Sequence, residues 1–373
     1  MYDNWRGRKP VTVANDVKAL RDAQYGLLAA VAAEAGVSSA TVSKVVHRRR
    51  DVAAGTRARV EELLAQHGYV RPWEAVTAQP RQVLAVFRDL VSSYTLEITR
   101  GIIDAGAEFG VDVVLGTTGS KSVSAWLEQS VALGAEGLII VISMLTEAEQ
   151  ARIVDQHLPV VLIDPLHAPV RPIPSIGVTN WNGAREAVQH LLQLGHARVG
   201  MVAGRSHSLA GAARLHGYRA ALEEAGIDFD LAIVRLTDFD YTEGLRATLR
   251  ILDADPRPTA IFAASDAQAL GVVEAARQRG LRVPRDLSVM SFDDTLVARM
   301  ASPPLSAVRQ PFPELGREAM RILTQLAAGR PPATTRIELA TSLILRDSTA
   351  PAGEPPGGPR DVPRGTAAAA PVR

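Results

Sequence analysis

The hydrophobic positions of this chain follow one rhythm up to about residue 70 and another after residue 82. Near the start, apolar residues from Leu28 to Ala35 recur at helical spacing and stop at Gly36, which predicts a short helix ended by a left-handed turn. Ser38 then stands where it can cap a second helix. In that helix Val42, Val45 and Val46 share one face, and Ala40, Ser43, Lys44 and His47 share the other. A third helix is expected from Ala54 to Gln66, with Val60, Leu63 and Leu64 inward and Tyr69 closing the small core. Two short helices around a tight glycine turn, the second with small and basic outward residues, have the pattern of a helix-turn-helix that enters a DNA major groove. The same spacing also suits an ordinary helical hairpin inside a larger fold.

From Gln82 the pattern becomes apolar strand, turn, amphipathic helix, repeated. Val83 to Phe87, Val111 to Leu115, Leu138 to Ile142 and Val160 to Ile163 read as buried strands, with Leu96 to Phe109 and Ser122 to Leu133 as helices between them. After Ile176-Gly177-Val178 the alternation resumes through Ala184 to Leu194, Val199 to Ala203, Ala210 to Ala225, Ala232 to Leu236, Gly244 to Asp253, Ala260 to Ala263, Ala267 to Arg279 and Leu287 to Phe292. Two parallel α/β lobes in series are implied, with ligand chemistry at the carboxyl ends of strands facing a shared cleft. A helix from Glu314 to Leu326 and a strand from Thr335 to Leu345 finish the fold. Residues 1–26 form an extension with no assigned role, 72–81 a linker bounded by Pro72 and Pro80, and 348–373 a Pro-, Gly- and Ala-rich tail expected to be disordered.

Composition narrows the function. At 373 residues and 47% hydrophobic content the chain has room for two or three domains. Its net charge of +1 hides an asymmetry: residues 1–82 hold 13 Lys/Arg against 8 Asp/Glu, leaving 28 against 32 for the rest. The basic end is the one with the helix-turn-helix, where positive charge supplies the sequence-blind part of phosphate binding. With no cysteine, disulfides and thiolate metal sites are excluded. No apolar run spans a bilayer and Met1 to Lys9 lacks a signal-peptide core, so the expected compartment is the cytoplasm, without membrane contact. Enzyme chemistry finds no complete constellation. The loop from Gly116 to Ser122 has the wrong spacing for a phosphate loop, and Gly204 to Ser208 lacks the last glycine of a nucleophile elbow. Asp293-Asp294 has no His pair or third carboxylate at ligand spacing, so neither metal nor cofactor is expected.

The stretch from Val31 to Val46, Val-Ala-Ala-Glu-Ala-Gly-Val-Ser-Ser-Ala-Thr-Val-Ser-Lys-Val-Val, followed by Thr56-Arg57 and Gly68-Tyr69, resembles the DNA-binding headpiece of the LacI/GalR family of bacterial transcription regulators. Residues 82–347 resemble that family's effector-binding core. The most specific pieces are Asn182 to Ala184 through His190 to Gly200, then Arg214 to Arg219, Ser265 to Gly271, Ser291 to Asp294, and Pro303-Pro304-Leu305. The resemblance implies an all-α helix-turn-helix headpiece over 27–71, a hinge over 72–81, and a bilobed α/β core of periplasmic-binding-protein type, made of two parallel-sheet Rossmann-like lobes. In that family the last helix returns to the first lobe. It further implies a homodimer on near-palindromic double-stranded operator DNA, most often a repressor, with a small-molecule effector, a sugar, between the lobes. A sugar-binding component of a transport or sensing system is the alternative that would share the core alone.

Carried over position by position, the resemblance places base reading at Ser39, Ala40, Ser43 and Lys44, with Ser38 and Thr41 opening the same helix and His47 just beyond it. Thr56 and Tyr69 match phosphate-contacting positions. Lys44 can donate to guanine but lacks the planar fork of arginine, so its contact should discriminate less. Ala53 replaces the usual serine cap, and Ala78 replaces the leucine that wedges into the minor groove, which argues against a strong kink at the operator centre or leaves it to Val76. For the effector the matching positions are Asp164, Arg214, Phe239, Ser265, Asp293, Gln310 and Phe312. Carboxylates accept hydroxyl protons, guanidinium donates in pairs and an aromatic face covers C–H patches, a set suited to sugars. Ser265 stands in place of a longer-reaching Asn, and Ser93 in place of a Pro in the loop from Val91 to Tyr94 that should wall the ligand. A helix cap for an Asp and a core position for Phe239 remain open as plain readings.

Overall fold

The structure is a computed structural model that describes residues 27–47, 49, 51–67, 69, 81–205 and 207–353. The chain divides into two compact units, Met1–Pro80 and Arg81–Arg373. The expected N-terminal extension, the linker with Val76 and Ala78, and residues 354–373 of the expected tail lie outside the described residues.

In the first unit, helix α1 (27–35) ends at Gly36, whose φ of +66° is the left-handed turn that glycine adopts without a Cβ clash. Helix α2 (Ser39–Val46) follows, capped by Ser38, whose hydroxyl accepts from the Thr41 amide at 3.2 Å. Helix α3 (Ala54–Gln66) begins at Ala53 with no side-chain cap. Val42, Val45 and Val46 from α2 meet Val31 of α1 and Val60 and Leu64 of α3 in one closed core, against which Tyr69 packs. The valine spacing is therefore what crosses the helices and turns the opposite face of α2 outward.

The second unit holds two six-stranded sheets. The first lobe runs β1 (Gln82–Phe87), α4 (Ser93–Phe109), β2 (Asp112–Thr117), α5 (Val123–Ala132), β3 (Gly137–Val141), α6 (Glu147–Asp155), β4 (Val160–Ile163) and β5 (Ser175–Val178). The second runs α7 (Asn180–Gln193), β6 (Val199–Gly204), α8 (Leu209–Glu224), β7 (Val234–Thr237), α9 (Tyr241–Ile251), β8 (Ala260–Ala263), α10 (Asp266–Gln278), β9 (Ser288–Asp293), α11 (Leu296–Met300) and β10 (Ser306–Arg309). Strands β3, β4, β6, β8 and β9 are buried at every residue, as parallel strands covered by helices on both faces must be. Helix α12 (Phe312–Ala327) then returns to the first lobe and packs along α4. Gly316 lies so close to Gly101 there that a Cβ would meet its backbone at 2.2 Å.

Two expectations are corrected, and two elements are added. The single strand over Thr335 to Leu345 is two strands in different lobes: β11 (Arg336–Leu339) runs parallel to β5 at the edge of the first sheet, and β12 (Ser342–Ile344) antiparallel to β10 at the edge of the second. The break falls where Thr341 donates its amide to the Thr179 hydroxyl at 3.0 Å, tying this crossing to the one from β5 into α7. Residues 348–353, counted with the disordered tail on composition, are packed. The Ser348 hydroxyl donates to the Val289 carbonyl at 2.6 Å and accepts the Ser306 amide at 2.8 Å, and buried His196 reaches the Ala350 carbonyl at 3.0 Å. Helix α6, closed by a capping box of Thr146 and Glu149, and strand β10 were not anticipated.

Candidate functional site

The outward face of α2 carries Ser39, Ala40, Ser43 and Lys44, with His47 beyond it, all exposed. Ser38 is spent on the helix cap, and its hydroxyl also meets that of Thr41 at 3.0 Å. The Lys44 ammonium is 2.7 Å from Asp51, with the two side chains 49% and 56% exposed. That pair holds the Asp51 carboxyl below the usual carboxylate range. At such exposure it is weak and breaks easily against phosphate or a base edge. His47 turns its Nδ1 to the Ser43 carbonyl at 2.8 Å. Thr56 is half-buried in the first turn of α3, and Tyr69 lies against the core. Asp51 was not singled out in the sequence; a carboxylate seven residues after Lys44 leaves no spacing signal in a loop.

In the second unit a cavity of about 330 Å³ opens between the lobes at the carboxyl ends of their strands. Asp164, Arg214, Phe239, Ser265 and Asp293 line it. Asp164 follows β4 at φ +44° and accepts from the hydroxyl of Tyr94 on α4. Arg214, 4% exposed, lies on α8 with Nε donating to Asn180 at 2.8 Å and Nη1 donating to the Ala264 carbonyl. The same Nη1 is 3.4 Å from Asp293, and the guanidinium lies 3.7 Å from the centre of the Phe292 ring. Phe239 reaches over Gly204, where a Cβ would come within 2.1 Å of the ring. Its position beside the cavity comes from that missing side chain.

Ser265 spends its hydroxyl capping α10 through the Gln268 amide, so it shapes the wall more than it offers a free donor. Gln310 and Phe312 stand one step behind: Gln310 donates to Asp293 at 2.6 Å, and Phe312 meets Tyr94 edge-on at 5.6 Å. Burial pushes the Asp293 carboxyl up, aided by the nearby Asp266 and Asp164 and opposed by Arg214 and Gln310. Burial likewise raises Asp164, against the pull of Tyr94 and Arg214, and it drives the Tyr94 phenol well above its ordinary value. Two further cations at the cavity are already matched, Arg88 to Asp89 at 3.2 Å and Arg205 to Asp238 at 2.6 Å. Tyr94, Arg205 and Asp238 were not named as ligand residues in the sequence, although Tyr94 ends the loop expected as a wall.

Asp294, the other half of the acidic pair, is buried between Arg309 and Arg346, each 2.6 Å away, and so braces the second lobe. Among the described residues no group of three or more His, Asp or Glu could hold a metal ion, and no helix is long and apolar enough to cross a membrane.

A helix-turn-helix headpiece with a basic outward face, chained to two parallel α/β lobes around a charged and aromatic cavity, defines a class: a DNA-binding module carrying a periplasmic-binding-protein-like core. Residues 28–72 match the bacterial regulatory proteins of the lacI family, and residues 188–349 the periplasmic binding protein-like domain. The transcriptional regulator CelR of Thermobifida fusca is 33% identical over 336 residues, covering 85% of this chain and 96% of its own. The repressor CytR of Escherichia coli K12 is 31% identical over 341 residues, covering 89% and 99%. Among solved structures, a CelR–cellobiose complex has a TM-score of 0.66 at 31% identity, covering 86% of this chain and 99% of that one. The lac repressor dimer bound to operator and the anti-inducer ONPF has the same score at 30% identity, covering 86% and 98%. The chain belongs to the lacI family of bacterial regulatory proteins, whose members are DNA-binding transcription regulators and not enzymes.

Proposed function

We propose that this regulator is a cytoplasmic repressor that binds a near-palindromic operator as a homodimer, and that an uncharged sugar bound between its core lobes sets its operator affinity. The reading rests above all on the cavity's charge balance. Arg88, Arg205 and Arg214 each already face a carboxylate. The first two pairs are exposed and weak, but Arg214 and Asp293 are buried together, so an anionic head has no free cation at the cavity floor, whereas sugar hydroxyls can donate to Asp164 and Asp293 while the ring faces Phe239. The relative crystallised with cellobiose supports the same class. Base contacts fall to Ser39, Ala40, Ser43, Lys44 and His47, phosphate contacts to Thr56 and Tyr69, and the effector to Asp164, Arg214, Phe239 and Asp293. Since the effector contacts both lobes, it acts by favouring one lobe arrangement over another, and operator affinity changes by that difference.

Footprinting on the DNA upstream of the protein's own gene, with and without neutral mono- and disaccharides, tests the proposal. Protection of a two-fold site that a neutral sugar weakens is the expected result. The absence of any footprint at low salt removes the DNA-binding part. A response to sugar phosphates alone removes the effector class.

A further inference from the structure

A second cavity, of about 380 Å³, lies on the other side of Asp164 from the effector cavity. One wall is first-lobe: the segment after β4, including Pro165, Arg171 and Ile173, together with Ile337 on β11. The opposite wall is second-lobe: Trp181 at the start of α7 and Leu209 and Ala213 on α8. It is therefore built across the lobe junction, beside the crossings near Thr179 and Thr341.

Its charges are few. Arg336 is paired with Glu338 at 3.0 Å, and Asp164 is held by Tyr94 on the far side. Arg171 is different: its backbone amide is fixed by Gln150 at 3.3 Å, while among the described residues its guanidinium makes no hydrogen bond or ion pair. Trp181 is 40% exposed and lines the cavity, with the Arg185 guanidinium over its ring at 5.8 Å. A chamber of mixed lining, with an indole on one wall and on the other one exposed guanidinium without a partner among the described residues, has a definite complement. We infer that this chamber is a second ligand site, for a small organic carboxylate whose apolar or aromatic body lies between Trp181, Leu209 and Ile337 and whose anionic head meets Arg171. This preference is opposite to that of the effector cavity, so the two sites do not share a ligand.

Phenylacetate, titrated calorimetrically into the full-length protein, is the probe. It should bind saturably at one site per chain, with affinity reduced at least tenfold in Arg171→Ala and abolished in Ala213→Trp, which fills the chamber. Arg171→Glu should lose phenylacetate and gain phenethylammonium, which guards against an Ala213→Trp variant that fails to fold. Phe239→Ala, on the effector side, should leave phenylacetate binding within twofold of the parent. Non-saturable heats, binding retained in both Arg171→Ala and Ala213→Trp, or binding lost in Phe239→Ala but kept in Arg171→Ala would each overturn the inference.

Discussion

At the scale of single residues the decisive side chain is Arg214, because three acceptors on different elements depend on it: Asn180, Ala264 and Asp293. Arg214→Ala takes the donor from half-buried Asn180 and the Ala264 carbonyl and leaves buried Asp293 to Gln310 alone, a loss of about 3 kcal/mol, softened by protonation of Asp293. Urea unfolding should show that cost, and calorimetry should show effector binding gone while the headpiece still protects its operator. The carboxyls around Arg214 also set a pH signature. Asp293, Asp266 and Asp164 are all raised in the fold by burial. Each therefore binds its proton more tightly folded than unfolded, and its contribution is full below the ordinary value of 3.8 and lost as pH rises through the folded one. His196, which burial lowers from 6.5, works the other way and costs stability as pH falls. Asp293→Asn should accordingly remove part of the stabilisation gained between about pH 8 and pH 5; melting curves with an unchanged slope against pH would refute the assignment. Little of this was visible in one dimension. Arg214 and Asp293 were, through their motifs, but Tyr94 and Asp164 are seventy residues apart and meet only because β4 ends and α4 begins at the same rim.

Elements were easier to read than their partners. The strand over Ala260 to Ala263 falls where the apolar run predicted it, since a parallel strand covered on both faces has no polar side to disguise it. The pattern from Thr335 to Leu345 says nothing of which sheet each half joins, because that choice is made by Thr179 across the crossing. Three element-scale predictions follow, two at α2 and one in the first lobe. In α2 the Lys44 ammonium is paired with Asp51, and on the proposed reading it exchanges that partner for DNA, so Lys44→Ala should weaken operator binding and lower the salt slope by about 1. Lys44→Arg should sharpen guanine discrimination, as read by binding to base-substituted operators. In the first lobe, Gly316→Ala puts a Cβ 2.2 Å from the Gly101 backbone, where no flexible atom can yield. Parting α12 from α4 should cost about 2 kcal/mol and draw Phe312 off Tyr94, so effector affinity falls although no ligand contact is changed.

At the scale of the whole molecule, the proposed homodimer needs a surface that joins two copies. Among the exposed apolar residues, Leu96 and Ile103 lie on one stripe of α4, at 64% and 45% exposure, with Arg100 between them. In the second lobe Leu231 and Leu236 stand out at 70% and 53%, the latter on β7, an edge strand of its sheet. Both lobes thus offer exposed apolar side chains of the kind that a self-complementary two-fold interface along the core would cover. Two headpieces bound to one piece of DNA through such a core gain an effective local concentration that a lone headpiece lacks. Leu96→Asp combined with Leu236→Asp should therefore give a monomer in analytical ultracentrifugation and weaken operator binding by about a hundredfold, while the response of the isolated core cavity to sugar persists. A double variant that still sediments as a dimer would place the interface elsewhere. One that becomes a monomer yet keeps full operator affinity would mean that the second headpiece adds nothing to recognition, contrary to a palindromic site read by two copies of α2.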